Sequence, residues 1–428
     1  VKEVIAVFDI GKTNKKFLCD DIENLERWIK NCLSSAIQEK KFSVKAVNFT
    51  TYGASLMYVD KAGKRLTPVY NYLKPMPDGI LDGFYDKYGG LSEFSRKTTS
   101  PAMGMLNSGL QALWLKKARQ DLFQKVDSIL HFPQYLSFLF TQRIVSEYTS
   151  IGCHTALWDF DAKKYHPWTI DESLNLPDPL SNSMIFPVEF EGQKIDFGIG
   201  IHDSSSSMVP YIKGSDEKFI LISTGTWCIT MNPFNEEPLT REQLEKDTLC
   251  YMSIRQEPVK SSRLFLGHIH DVNVARLTGF FNVEPEQYKK VKTDKGKIAA
   301  LFGQNSGKVF FINGMPFDFI DKDADLSLFS SFDEAYHKLM YDLVGLLVES
   351  VKLVLAKDDQ TKTVYISGGF ARNEIFVRLI AAYLPELNVF ISEMDNATAL
   401  GAAMVILEKV FDGERPDICL GLKRIIND

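Results

Sequence analysis

The chain has 428 residues, 45% of them hydrophobic and 24% charged, with 49 basic against 55 acidic side chains for a net charge of −6. That is apolar material for two or three domains with their own cores. It rules out a disordered tail or a disulfide scaffold, and a mildly acidic surface argues against nucleic-acid or anionic-membrane partners. No apolar run approaches the ~20 residues of a membrane helix. The chain opens on a strand-like run rather than a signal peptide. Six scattered cysteines without a CxxC pair point to a reducing cytoplasm.

Val4–Phe8 is short, apolar and β-branched, the pattern of a buried strand, and it ends in Asp9-Ile10-Gly11-Lys12-Thr13-Asn14. From Asp21 the spacing is helical, with Ile22, Leu25, Trp28, Ile29 and Leu33 on one face. A second strand, Val44–Thr50, runs into Thr51-Tyr52-Gly53, and an irregular, proline-rich excursion follows over 66–108. Helical patterns return at Leu110–Arg119 and Gln134–Phe140. In the second half Phe219–Ile222 and Thr363–Ile366 repeat the opening pattern, ending in Ser223-Thr224-Gly225-Thr226 and Ser367-Gly368-Gly369. Helices are predicted over Asp333–Ala356, from Asn373 and over Asn396–Lys409, with a strand at Val389–Ile391. Alternating strands and helices mean an α/β architecture. The exposed cluster within Pro210–Glu217 marks the domain boundary, giving domains 1–213 and 214–428.

Four segments carry chemistry. After the first strand, Gly11, Thr13 and Asn14 offer backbone and side-chain donors to a phosphate. A P-loop is rejected there: its first glycine would be Ala6, Val7-Phe8 continue a strand, and Asp9 would repel phosphate unless a cation lay between. Thr224-Gly225-Thr226 is the matching turn of the second half, suggesting duplicated halves facing one nucleotide. Gly368-Gly369 lets backbone approach a bulky ligand. Asp203, in Gly198-Ile-Gly-Ile-His-Asp-Ser-Ser-Ser-Ser207, is either a helix cap or a general base.

Together AVFDIGKTN, GIHDSSSS, ISTGTW and ISGGFARNEIF resemble the FGGY carbohydrate kinase family, closest to its rhamnulokinase-like branch, with Asn396–Ala403 similar to the family's terminal helix. The resemblance implies two actin-like, ribonuclease H-like domains around a nucleotide cleft, and ATP-dependent phosphorylation of a sugar hydroxyl, in a ketose such as L-rhamnulose, L-fuculose or xylulose. Asp203 becomes the catalytic base, with His202 and Gly53 beside the sugar. Asp9 becomes the Mg²⁺ residue, its carboxylate converging on that of Asp203 across the cleft. Gly11, Lys12, Thr13, Asn14, Thr224, Gly225 and Thr226 face the phosphates of ATP, and Gly368, Gly369 and Asn373 the adenosine. Lys12 stands where many relatives carry a small residue. The partner implied is a small-molecule sugar, with the oligomeric state left between monomer and homodimer. An actin-like or chaperone-like ATPase without a sugar base is the competing reading. One departure stands out: relatives carry a β-hairpin where only Lys15–Asp20 separates the first turn from the helix, so the domain is trimmed or residues are omitted between Leu18 and Cys19. The second option is favoured, because Phe17-Leu18 begins a strand that goes nowhere.

Other motifs are read as structural. His268-Ile269-His270-Asp271 is read as surface or core rather than metal site, though in relatives this region borders the nucleotide. The aromatic run Trp158–Phe160 and Tyr165–Trp168 is read as packing. Gly152-Cys153-His154-Thr155 is not read as a nucleophilic dyad, since neighbours in a strand point to opposite faces.

Overall fold

A computed structural model of the chain describes residues 3–10, 13–39, 41, 43–303, 307–394, 396–413 and 419–426, with residues 3–10 and 13–18 described as backbone. The second half is built on one seven-stranded sheet. Its strands Phe219–Thr224, Thr363–Gly368 and Asn388–Ser392 run parallel, and antiparallel strands flank them on both sides. Alternation along these strands explains why they read as continuous apolar runs. Ile220, Ile222, Val364 and Ile366 enter one core with the helices Leu266–Phe281, Phe332–Val354 and Glu374–Tyr383. Phe219, Leu221 and Tyr365 point the other way, onto Met208, Tyr211 and Ile212 of the helix Asp203–Gly214. Both faces are therefore buried. The predicted helices all form, each within a few residues of its expected span.

The first half is a set of small sheets. Val44–Thr50 is broken into Ala46–Val47 and Thr50–Thr51. Asn48 sits at the break, its Oδ1 accepting from the backbone N–H groups of Phe49 and Gly200 and its Nδ2 donating to the Ala402 carbonyl. Thr13–Asp20 pairs antiparallel with Glu3–Ile10 along its whole length. Phe17-Leu18 therefore belongs to an unbroken strand of a hairpin that leads straight into the helix Ile22–Gln38, and no omission is needed to give it a partner. On that helix Ile22, Leu25, Ile29 and Leu33 pack inward, but Trp28 is 61% exposed. At 100° per residue it lies about 120° from Ile22, off the apolar stripe.

Two further expectations are corrected. Pro210 is no linker residue; it is buried inside the helix Asp203–Gly214, and only the turn that follows is exposed. The excursion carries its own elements, including the helices Phe84–Lys87 and Leu91–Thr98. These pack with Trp114 and Trp168 in a local core that also takes in Trp158, so the aromatic run is interior. No helix among the described residues is long and apolar enough to cross a membrane.

Candidate functional site

Asp203 is the first residue of a helix, and a carboxylate there is favoured by the unpaired N–H groups and the helix dipole. Its Oδ1 accepts from the backbone N–H of Ser204 at 2.6 Å and lies 3.0 Å from His202 Nε2. The side chain is 40% exposed, open to a ligand, whereas the His202 side chain is 3% exposed. Burial works to raise the Asp203 pKa, yet hydrogen bonding and charge from His202, with the Ser204 N–H, hold it below the usual carboxylate range.

Parallel pairing of Thr50–Thr51 with Ile201–His202 puts Thr51 opposite His202, and the chain then turns through Gly53. A Cβ on Gly53 would lie 2.4 Å from Cys153 Sγ and 3.4 Å from His202 Cδ2. Gly53 and His202, nearly 150 positions apart, are thus brought together. The glycine's immediate neighbour is the Cys153 sulfur, itself 2.9 Å from His202 Nε2. Sequence reasoning tested Cys153 only against His154 and so missed its pairing with His202. Three more groups escaped notice. Tyr251 packs on the His202 ring at 5.4 Å. Tyr72, half-buried, has its hydroxyl pKa raised by burial and by the charges of Asp203 and Asp20. Asp20 accepts from the Tyr52 hydroxyl at 2.5 Å. The only signal for these was proximity to Gly53 along the chain, which marks Tyr52 alone.

The two turns of the second half are one construction. Thr224 pairs with Gly368 across adjacent parallel strands. Gly368 has φ +86°, and a Cβ there would stand 1.9 Å from the Thr224 carbonyl oxygen, so only glycine fits. Gly369 has nothing within 4 Å of its hypothetical Cβ and is the glycine left open. The Thr224 hydroxyl donates to the Ser367 carbonyl at 2.6 Å and accepts from the Phe370 N–H at 3.0 Å. It is spent on holding the turns together, whereas Gly225 and Thr226 are exposed. Asn373 caps the helix Glu374–Tyr383 through Oδ1 and donates to the Tyr336 hydroxyl at 2.9 Å. A cleft of about 840 Å³ opens beside Gly368 and Gly369, lined also by Arg372, Ser392 and Lys423. Gly267 donates its N–H to Thr226, and His268 stacks on Phe265, which stacks on the exposed Trp227. His270 points away, to Tyr336 and Asp271, so the two histidines share no ligand position.

Gly11 and Lys12 lie outside the described residues, and Asp9, Thr13 and Asn14 are described as backbone, where Asp9 pairs with Asn14 next to the turn. It is the opposite end of that hairpin, Asp20, that reaches Tyr52; the Asp9 side chain, and with it the expected convergence on Asp203, lies outside the described residues. Among the described residues no three carboxylate, histidine or cysteine side chains cluster as a metal site. Mg²⁺ needs no such cluster, since it keeps several waters and takes one or two carboxylates plus phosphate oxygens.

A parallel three-strand core with antiparallel flanks, covered by helices on both faces and joined to a second lobe at a helix that begins with an exposed aspartate, is the arrangement of the two-domain actin-like fold. Solved structures agree. A carbohydrate kinase from Novosphingobium aromaticivorans superposes with a TM-score of 0.78 over 99% of this chain and 90% of that one, at 20% identity. A Plasmodium falciparum glycerol kinase with ADP gives 0.68 over 93% and 83%, at 16% identity. Models of the FGGY family of carbohydrate kinases match residues 8–180 for the N-terminal domain, and 216–300 and 339–407 for the C-terminal domain. The chain belongs to the FGGY family of carbohydrate kinases. In sequence it is similar to rhamnulokinases, 26% identical over 225 residues to that of Oceanobacillus iheyensis (50% of this chain, 46% of the relative) and 26% over 201 residues to that of Bacteroides thetaiotaomicron (44% and 40%). The matched region is about half the length of these curated relatives or less.

Proposed function

We propose that the chain is a cytoplasmic ATP-dependent sugar kinase of two domains, 1–213 and 214–428, acting on a ketose of the rhamnulose, fuculose or xylulose kind, with Asp203 as general base. The observation that carries this reading is the Asp203 carboxylate: ionised, oriented by His202 and Ser204, and open to a ligand at the edge of the seam between the lobes. Family membership and the sugar-kinase relatives support the reaction class, and the glycerol kinase solved with ADP supports the nucleotide.

Phosphoryl transfer asks mainly for positioning and charge neutralisation. Gly225, Thr226 and Gly369 leave backbone accessible to ATP, and Gly11, Lys12, Thr13 and Asn14 complete its phosphate contacts. Asp9 would hold Mg²⁺, which when bound neutralises phosphate charge. Gly53 and His202 border the sugar. Asp203 accepts the proton of the acceptor hydroxyl while that oxygen bonds to the γ-phosphorus, the bond from γ-phosphorus to the bridging oxygen breaks, and ADP departs. Asp203→Asn is expected to fold and to lower kcat by about 10²–10⁴-fold. The assay is ADP release across a panel of ketoses, aldoses and polyols. Undiminished turnover in the variant removes Asp203 from the role, and ATP hydrolysis indifferent to every sugar favours the conformational ATPase.

A further inference from the structure

Cys153 and His202 are both buried, and the His202 ring has a partner on each nitrogen. Nδ1 lies 3.2 Å from Ser205 Oγ, and the single Ser205 hydroxyl hydrogen is donated to the Met252 carbonyl at 2.9 Å. Ser205 therefore offers Nδ1 only lone pairs, and Nδ1 must carry a proton. Nε2 faces two atoms at once, Cys153 Sγ at 2.9 Å and Asp203 Oδ1 at 3.0 Å. If Nε2 is bare, its lone pair accepts from the thiol but confronts the carboxylate. If the thiol proton moves to Nε2, the ring becomes a donor to Asp203 and the sulfur a thiolate. One proton shifts between sulfur and nitrogen, and only the second arrangement gives Asp203 a hydrogen bond from His202.

From this geometry we propose that Cys153 is a positioning residue: by giving its proton to His202 it makes the imidazole a donor that holds the Asp203 carboxylate toward the ligand. The proposal rests on Asp203 being the base. Gly53 keeps the sulfur in place, since any side chain there would occupy its position. The charges follow the same direction. Burial opposes a thiolate, but His154 and His202 bring Cys153 down to about 6. Burial likewise opposes the imidazolium, but Cys153 and Asp203 take His202 up to about 10. The other titratable groups around the ring are His154 beside Cys153, Tyr251 from the strand Thr248–Met252 and His131 from Ser128–His131; Glu147 reaches only the backbone of His202, through Thr149, whose Oγ1 accepts the His202 backbone N–H and donates to Glu147. His131 and Tyr251 are driven toward their neutral forms by burial, so neither replaces the thiolate.

The test uses the full chain with Cys153→Ser, near-isosteric but without an acidic proton, and Cys153→Ala. With histidine labelled at ring carbons and the His202 signal assigned by its loss in His202→Asn, NMR follows the imidazolium without any substrate. The His202 midpoint is expected to fall by at least one pH unit in both variants, with the thiolate ultraviolet absorbance lost. In the ketose assay kcat falls about tenfold, the KM for ATP stays unchanged, and the alkaline limb of the rate profile moves to lower pH. A His202 midpoint that stays put in Cys153→Ser overturns the proposal, even if stability drops, because packing alone would do that. Should Cys153→Ala fail to fold, the serine variant decides. Full activity of Asp203→Asn would instead strike the base assignment, and the NMR titration separates the two failures.

Discussion

His131 illustrates how a side chain outside the chemistry can govern behaviour with pH. It is fully buried, its Nε2 has no hydrogen-bond partner among the described residues, and burial with the nearby His202 pushes it down to about 3. Unfolded, it titrates near 6.5, so between about 6.5 and 3 the unfolded chain binds a proton that the folded one refuses. Its contribution to stability is lost as pH falls through that window, by up to ~1.4 kcal/mol per pH unit. His202, raised to about 10, runs the other way, contributing fully below ~6.5 and losing its contribution as pH rises through 10. Urea midpoints taken at pH 7 and pH 5 should differ less in His131→Gln than in the natural chain; equal differences would show that His131 titrates normally. His131 carries no mark in the sequence beyond its letter. His202 drew notice through the His-Asp pair of the GIHDSSSS segment, and the neighbour that sets its charge comes from a segment fifty positions earlier.

Between the helices Asp203–Gly214 and Ala397–Val410, close approach is built from small residues. Pro210 has no N–H to give the Ser206 carbonyl four residues back, and that oxygen faces Gly401 instead. A Cβ on Gly401 would stand 1.8 Å from it. Ser206 Oγ donates to the Thr398 carbonyl at 2.8 Å and Lys213 Nζ to the Met404 carbonyl at 3.0 Å, which fixes the rotation of one helix on the other. Since Asp203 starts the first helix, this packing sets where the carboxylate stands. Gly401→Ala must push the helices apart. It is expected to cost about 1–3 kcal/mol, read as a lower denaturant midpoint, and to reduce kcat along with it; an unchanged midpoint would mean the crossing relaxes freely. The terminal helix was legible from its spacing. Its partner was not, because nothing in Asn396–Lys409 says which surface the small residues meet.

Across the whole molecule, the lobes meet not only at the helix Asp203–Gly214 but also along the strand Thr248–Met252, at the edge of the seven-stranded sheet. The Thr99 hydroxyl donates to the Cys250 carbonyl, Ser205 to Met252 and Asn182 to Ile254, while Arg263 pairs with Asp247 and reaches Met103. A ligand that touches both lobes stabilises the seam it spans. With ATP–Mg²⁺ or ketose each at about 100 times its Kd, stability should rise by ~2.7 kcal/mol, seen as a higher thermal midpoint. The two together should exceed the sum if the lobes close on them. A midpoint indifferent to nucleotide would count against the cleft as its site. What could be read from the linear order of residues was whatever a strand or helix decides locally. The apolar runs of the second half, the turns after them, the helical stripes and the aspartate at a helix start all follow from side-chain periodicity and backbone preference. The folded chain decided which of these meet. It spent the Thr224 hydroxyl on the neighbouring turn, separated the closed Gly368 from the open Gly369, led Phe17-Leu18 into a hairpin, and set the Cys153 sulfur against His202. Those outcomes depend on strand register and helix contacts between segments tens to hundreds of residues apart, and no local pattern encodes a distance of that kind.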